Sequence, residues 1–169
     1  MSRGFVKEGD QEEIPYVPPR AFLPPGVTNY VTQRGLEALV AEKEELLRER
    51  DELQGHNEND RRVSSNFINS RLQLLEDRIQ SARVIKLSEQ PHDEIRFGAT
   101  IELLTEGTGV VQVIQITGVD EAYGSKGKMS FISPLARVLS NKKAGDKVKF
   151  KRGDGEVVLL VQRIIYSES

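Results

Sequence analysis

The sequence predicts an α+β protein in two parts: an antiparallel coiled-coil hairpin of two helices, then a globular domain with a mostly antiparallel sheet and one short helix. Three observations carry this. Two apolar seams at coiled-coil spacing face each other within residues 32–85, a proline-rich arm precedes them, and five short Val- and Ile-rich runs bounded by Gly, Asp and Pro follow. The chain divides into an extended arm (1–30), the hairpin (31–86), a linker (87–94) and the globular domain (95–169).

Leu36, Leu39, Leu46 and Leu53 hold the first seam, with Lys43 and Arg50 in the intervening seam positions. Ile68, Leu72, Leu75, Ile79 and Ala82 repeat the spacing. Folding the chain near Asn57 sets Leu46 opposite Ile68, Lys43 opposite Leu72, Arg50 opposite Ser65, Leu39 opposite Leu75 and Leu36 opposite Ile79, so the layers meet without slip. One continuous helix would have to run through Gly55 and a cluster of Asn and Asp that favours turns. Arms of roughly 22 to 25 residues extend on the order of 35 Å at about 1.5 Å per residue. Thr32 is placed to cap the first helix and Asn57 the second. The tip then carries His56, Asn57, Glu58, Asn59 and Asp60, acids that suit the dipole of a first helical turn.

Composition removes several function classes. With 37% hydrophobic residues, 30% charged and a net charge of -2, the chain lacks the overall basic excess of a dedicated nucleic-acid binder. No apolar run is long enough to span a membrane and no charged-then-apolar leader is present, so a cytoplasmic protein without membrane contact is expected. The absence of cysteine removes disulfides, thiolate zinc sites and cysteine nucleophiles, and His56 and His92 are far apart, so neither a metal site nor a cofactor is expected.

The arm sets Pro15, Pro18, Pro19, Pro24 and Pro25 around Tyr16, Val17, Phe22 and Leu23, after an acidic stretch with Asp10, Glu12 and Glu13. It is extended, either pinned against the rod or a partner, or a flexible leader. In the globular part, residues 99–104, 110–119, 129–132, 147–150 and 157–165 read as strands. Ser133 followed by Pro134 opens a short helix over 134–139, and Gly153, Asp154 and Gly155 turn the last hairpin. Lys142, Lys143, Lys147, Lys149, Lys151 and Arg152 form a basic stretch. It is read as a local contact for nucleic acid, DNA-binding included, or as a solvated edge strand whose lysines block aggregation.

The run from Ile132 to Leu139 and on through Asn141-Lys142-Lys143-Ala144-Gly145-Asp146 resembles the C-terminal domain of the bacterial Gre transcription elongation factors, the GreA/GreB family. Thr32-Gln33-Arg34-Gly35, Ala82-Arg83-Val84-Ile85, Phe97-Gly98-Ala99-Thr100 and Gly118-Val119-Asp120-Glu121-Ala122 agree in order. The resemblance implies an FKBP-like globular domain that docks on RNA polymerase at the rim of the secondary channel, with the hairpin passing inward. Carried over, docking falls on Ser133, Pro134 and Leu135, with Asp120 nearby. It further implies a tip at which two acids hold a polymerase-bound magnesium ion for cleavage of backtracked RNA. Here the family's Gly-Asp-Leu-x-Glu-Asn type of tip is replaced by Gly55-His56-Asn57-Glu58-Asn59-Asp60-Arg61-Arg62, with Glu58 and Asp60 the candidate acids. Between its matching ends the hairpin is shorter than the family's by one heptad per arm, roughly 10 Å of reach.

The expected function is therefore a monomeric, short-hairpin factor that binds RNA polymerase and modulates elongation with weak or absent cleavage stimulation, acting through the polymerase and not as an enzyme. The alternatives are a true cleavage factor using Glu58 and Asp60, a coiled-coil adaptor, and a peptidyl-prolyl isomerase. The last is disfavoured because Phe97, Tyr123, Phe131, Phe150 and Tyr166 make a sparse aromatic set for a proline pocket.

Overall fold

The structure is a computed structural model and describes residues 16–53 and 57–167. Helix α1 spans Gln33–Asp51 and helix α2 spans Glu58–Ser81. The Thr32 hydroxyl accepts from Gly35 N, and the Asn57 side chain accepts from Asp60 N, so both predicted caps hold their helix starts. The first arm is shorter than expected. Its 19 helical residues extend about 28 Å.

Leu39, Leu46, Ile68, Leu72 and Leu75 form the buried seam, with Leu53 and Ile79 partly buried beside them. The seam cations reach further than simple opposition implies. The Lys43 ammonium pairs with Glu76, one turn beyond Leu72, and Arg50 Nη1 donates to Asn69 Oδ1 at 2.9 Å, past Ser65. Both partners lie four positions nearer the hairpin base, because side chains on α1 slant toward its N-terminus. Ala82, read from spacing as a last seam residue, instead caps α2 and opens a strand.

That strand, β2 (Ala82–Val84), pairs in parallel with β1 (Asn29–Val31), a two-stranded sheet that the periodicity does not show. The chain enters and leaves the rod side by side, and Ile85 N donates to Val31 O at 2.9 Å. A 3₁₀ turn at Leu87–Glu89 follows within the expected linker. Leu87 is buried against Gly98, whose φ of +89 and missing side chain admit it.

The globular domain holds β3 (Thr100–Thr105), β4 (Val111–Thr117), helix α3 (Val119–Ala122), β5 (Lys128–Ser130), helix α4 (Pro134–Leu139), β6 (Lys147–Arg152) and β7 (Gly155–Ile165). Strand order is β5-β4-β3-β7-β6, antiparallel throughout except for the β4–β5 pair. Ile95, Ile101, Leu103, Leu139 and Val161 are fully buried in its core. The run 110–119 is not one strand: it breaks at Gly118 into α3. Gly153, at φ +61, takes the first central position of the β6–β7 turn, as type II′ turns require. β6 is an edge strand with Val148 buried and Lys147, Lys149 and Lys151 exposed, and Lys147 pairs with Glu106. This is the pattern of an edge kept from aggregating.

Candidate functional site

Helix α3 is the joint between rod and globular domain. Its two acids face the hairpin. Asp120, with 8% of its side chain exposed, accepts from Arg20 Nε at 3.0 Å and from Arg78 Nη1 at 3.2 Å. Glu121 accepts from the Thr32 hydroxyl and pairs with Lys128 at 3.2 Å. Thr32 thus caps α1 and fastens it to α3 at once. Gly118 lies so close to β1 that a Cβ there would stand 2.5 Å from Tyr30 O.

The N-terminal arm reaches the same joint. Arg20 binds Glu42 of α1 through Nη1 at 2.8 Å and Nη2 at 3.0 Å, a bidentate pair, while its Nε holds Asp120. Burial works against the Arg20 charge, yet the bonds and charges of Glu42 and Asp120 outweigh it and hold its pKa above the ordinary value. Arg78 Nη2 also donates to Ala21 O. The arm is pinned by one cation and one backbone carbonyl, while Tyr16 and Phe22 stay 80% and 73% exposed.

The segment singled out for docking lies beside this joint. Ser133 caps α4, its hydroxyl accepting from Ala136 N at 3.3 Å, and Pro134 is exposed at the first helical position. Leu135 is 9% exposed and packs into the core, so it anchors the segment rather than offering a contact. Asp120 is likewise covered. Beside Ser133 and Pro134 opens a shallow hollow of about 430 Å³, also bounded by Phe22, Val119, Ala122 and Tyr123.

At the tip, Asn57, Glu58, Asn59 and Asp60 are all exposed, and His56 lies outside the described residues. Glu58 and Asp60 both belong to the first turn of α2. Positions two apart on a helix project about 160° apart around the axis, so these carboxylates point to opposite sides. A shared magnesium ion needs oxygens at about 2.0–2.1 Å, which two diverging side chains do not supply together. This donor pair does not fit a jointly held metal ion. Among the described residues no group of three or more metal-ligating side chains occurs, and no helix is long and apolar enough to cross a membrane.

Two aromatic residues of the globular domain, Phe97 and Phe131, pack against Tyr30 of the hairpin base. Tyr30 of β1 stands 6.0 Å from Phe97 and 5.7 Å from Phe131, ring centre to ring centre, and those two are 5.6 Å apart. The cluster binds the hairpin base to the sheet. Sequence reasoning missed Arg20, Arg78 and Glu121. The adjacent acids in Gly118-Val119-Asp120-Glu121-Ala122, bracketed by small and apolar residues, were the available sign of two buried carboxylates needing partners.

A helical rod carried on a curled, mostly antiparallel domain defines a two-part factor with a projecting tip. Residues 90–166 match the family described as transcription elongation factor, GreA/GreB, C-terminal. This segment is similar to the C-terminal domain of the GreA/GreB elongation factors. It is 41% identical over 80 residues to transcription elongation factor GreA of Maricaulis maris, covering 47% of this chain and 51% of that one. With GreA of Bartonella henselae it shares 41% over 104 residues, 62% of this chain and 59% of the relative. GreA of Rhodopseudomonas palustris is 46% identical over 79 residues, 47% of this chain and 50% of its own. The chain thus matches about half the length of several of these relatives. A solved structure of GreA/GreB from Nitrosomonas europaea aligns with 83% of this chain and 99% of its own at 17% identity and a TM-score of 0.42.

Proposed function

We propose that this protein is a Gre-like factor that binds RNA polymerase at the secondary channel and modulates elongation, with weak or absent stimulation of transcript cleavage. It acts through the polymerase and is not itself an enzyme. The likeness to the GreA/GreB C-terminal domain supports docking, with Ser133 and Pro134 as the contact and Leu135 buried behind them. The observation that carries the rest is the divergence of Glu58 and Asp60 on the first turn of α2. The short first arm supports it too, since a tip about 10 Å short places no carboxylate on a catalytic metal ion. Any magnesium involved belongs to the polymerase. The lysines of β6 serve as a guarded edge rather than as a nucleic-acid face, and the chain works as a monomer, its apolar seam closed within one hairpin.

Backtracked elongation complexes challenged with a known cleavage factor test this. Slower cleavage by that factor when this protein is present supports occupancy of the channel. Cleavage at an unchanged rate, at protein concentrations that saturate polymerase binding, counts against it.

A further inference from the structure

The arm does more than brace the joint. By pairing with Asp120, Arg20 helps to close off the acid, which the resemblance placed among the docking contacts, leaving its side chain 8% exposed. Two residues on, the same turn of chain presents Phe22 at 73% exposure, with Ala21 buried between as the pivot. Tyr123 of the segment after α3 is 74% exposed. Both residues line the hollow of about 430 Å³ together with Ser133 and Pro134. Neither ring belongs to a core cluster, so folding does not account for their place at one hollow. Large aromatic side chains exposed together around one hollow mark an interaction site.

We propose that the N-terminal arm is part of the polymerase-docking surface. Phe22 and Tyr123 clasp an apolar side chain of the polymerase that reaches Ser133 and Pro134, and Arg20 fixes the position of Phe22. An aromatic contact from the arm thereby stands where a carboxylate contact is covered. The inference rests on the docking reading above. Polymerase is the occupant because the hollow is continuous with Ser133 and Pro134, and one surface serves one partner. An opening of this size takes a side chain and not a whole helix, which is about 10–12 Å across.

The test is calorimetric titration of the full chain into purified RNA polymerase, comparing Phe22→Ala, Tyr16→Ala and Pro134→Ala with the parent. Phe22→Ala is expected to weaken binding about tenfold, as truncation of an aromatic anchor does. Tyr16→Ala, equally exposed but away from the hollow, is expected to bind like the parent. Should Phe22→Ala lower the melting temperature, Tyr123→Ala at the same hollow carries the same test. Parent-like binding by Phe22→Ala and Tyr123→Ala, with Pro134→Ala weakened, overturns the role of the arm and leaves docking intact. An equal loss in Tyr16→Ala and Phe22→Ala also overturns it. Full affinity in all variants, Pro134→Ala included, removes this whole surface, Ser133 and Pro134 with it, as the contact, and absence of binding by the parent removes the docking reading itself.

Discussion

Arg20 and Asp120 meet across 100 residues of chain, Arg20 Nε donating to Asp120 Oδ1 at 3.0 Å. This contact joins the arm, through Glu42 and Arg78, to both helices of the rod and to the globular domain. Asp120→Ala leaves Arg78 without its carboxylate and Arg20 with Glu42 alone. Urea unfolding near neutral pH is expected to show a loss of about 2 kcal/mol. A double-mutant cycle with Arg20→Ala should give a coupling of about 1 kcal/mol, and simple additivity would deny that the pair acts together.

Gly118→Ala tests the close approach of α3 to β1. The added methyl would stand 2.5 Å from Tyr30 O, a backbone atom held in the parallel β1–β2 pair and unable to swing aside. The φ of -68 at Gly118 suits any residue, so space and not backbone strain sets the cost. A loss of about 2 kcal/mol is expected, together with faster amide exchange at Ile85, which bonds Val31 O across that pair. Unchanged exchange there would place the strain elsewhere.

The rod was legible because coiled-coil spacing is a long-range repeat: Leu39, Leu46, Ile68, Leu72 and Leu75 could be paired on paper before any backbone was known. The caps at Thr32, Asn57 and Ser133 were legible for a local reason, since each side chain bonds an amide three positions on. The joint was not. β1 and β2 have three residues each, too few for alternation to register, and four-residue α3 sits at the end of an apolar run that reads as strand. Arg20 is a lone cation among prolines whose partners lie 22 and 100 residues away, a relationship no periodicity encodes. At the candidate site, the sequence named Asp120 but not the arginines that cover it, whereas the start of helix α2 at Glu58 and Asp60 was legible from the Asn57 cap.

The seam should be strong at its base and weak near its tip. Leu75 is fully buried, whereas Leu53 is only partly buried and Arg61 and Arg62 near the tip are exposed. Leu75→Ala is expected to cost about 3 kcal/mol and Leu53→Ala less than about 1 kcal/mol in chemical unfolding. Equal costs would mean that the distal layers carry as much of the packing as the base.

Tyr166 gives the fold an alkaline limit. Its hydroxyl donates to Glu94 O at 2.6 Å and accepts from Arg96 N at 2.8 Å, and burial, the main cause, raises its pKa above the ordinary 10.0. A pKa raised on folding means that the folded state holds the proton more tightly. The associated stability is full below about pH 10 and is lost as pH climbs from there through the raised value. The unfolding free energy is therefore expected to fall above about pH 10, and Tyr166→Phe should flatten that decline while costing about 1 kcal/mol at neutral pH. An equally steep decline in Tyr166→Phe would assign it to another group.

The most direct test of the account compares the parent with the Glu58→Ala/Asp60→Ala double variant in backtracked elongation complexes with magnesium, following RNA length over time. If the chain occupies the channel without a working acidic tip, RNA length follows the factor-free course with both proteins, and both slow an added cleavage factor equally. RNA shortened by the parent and not by the double variant would contradict the account, showing that the two carboxylates act together despite pointing apart.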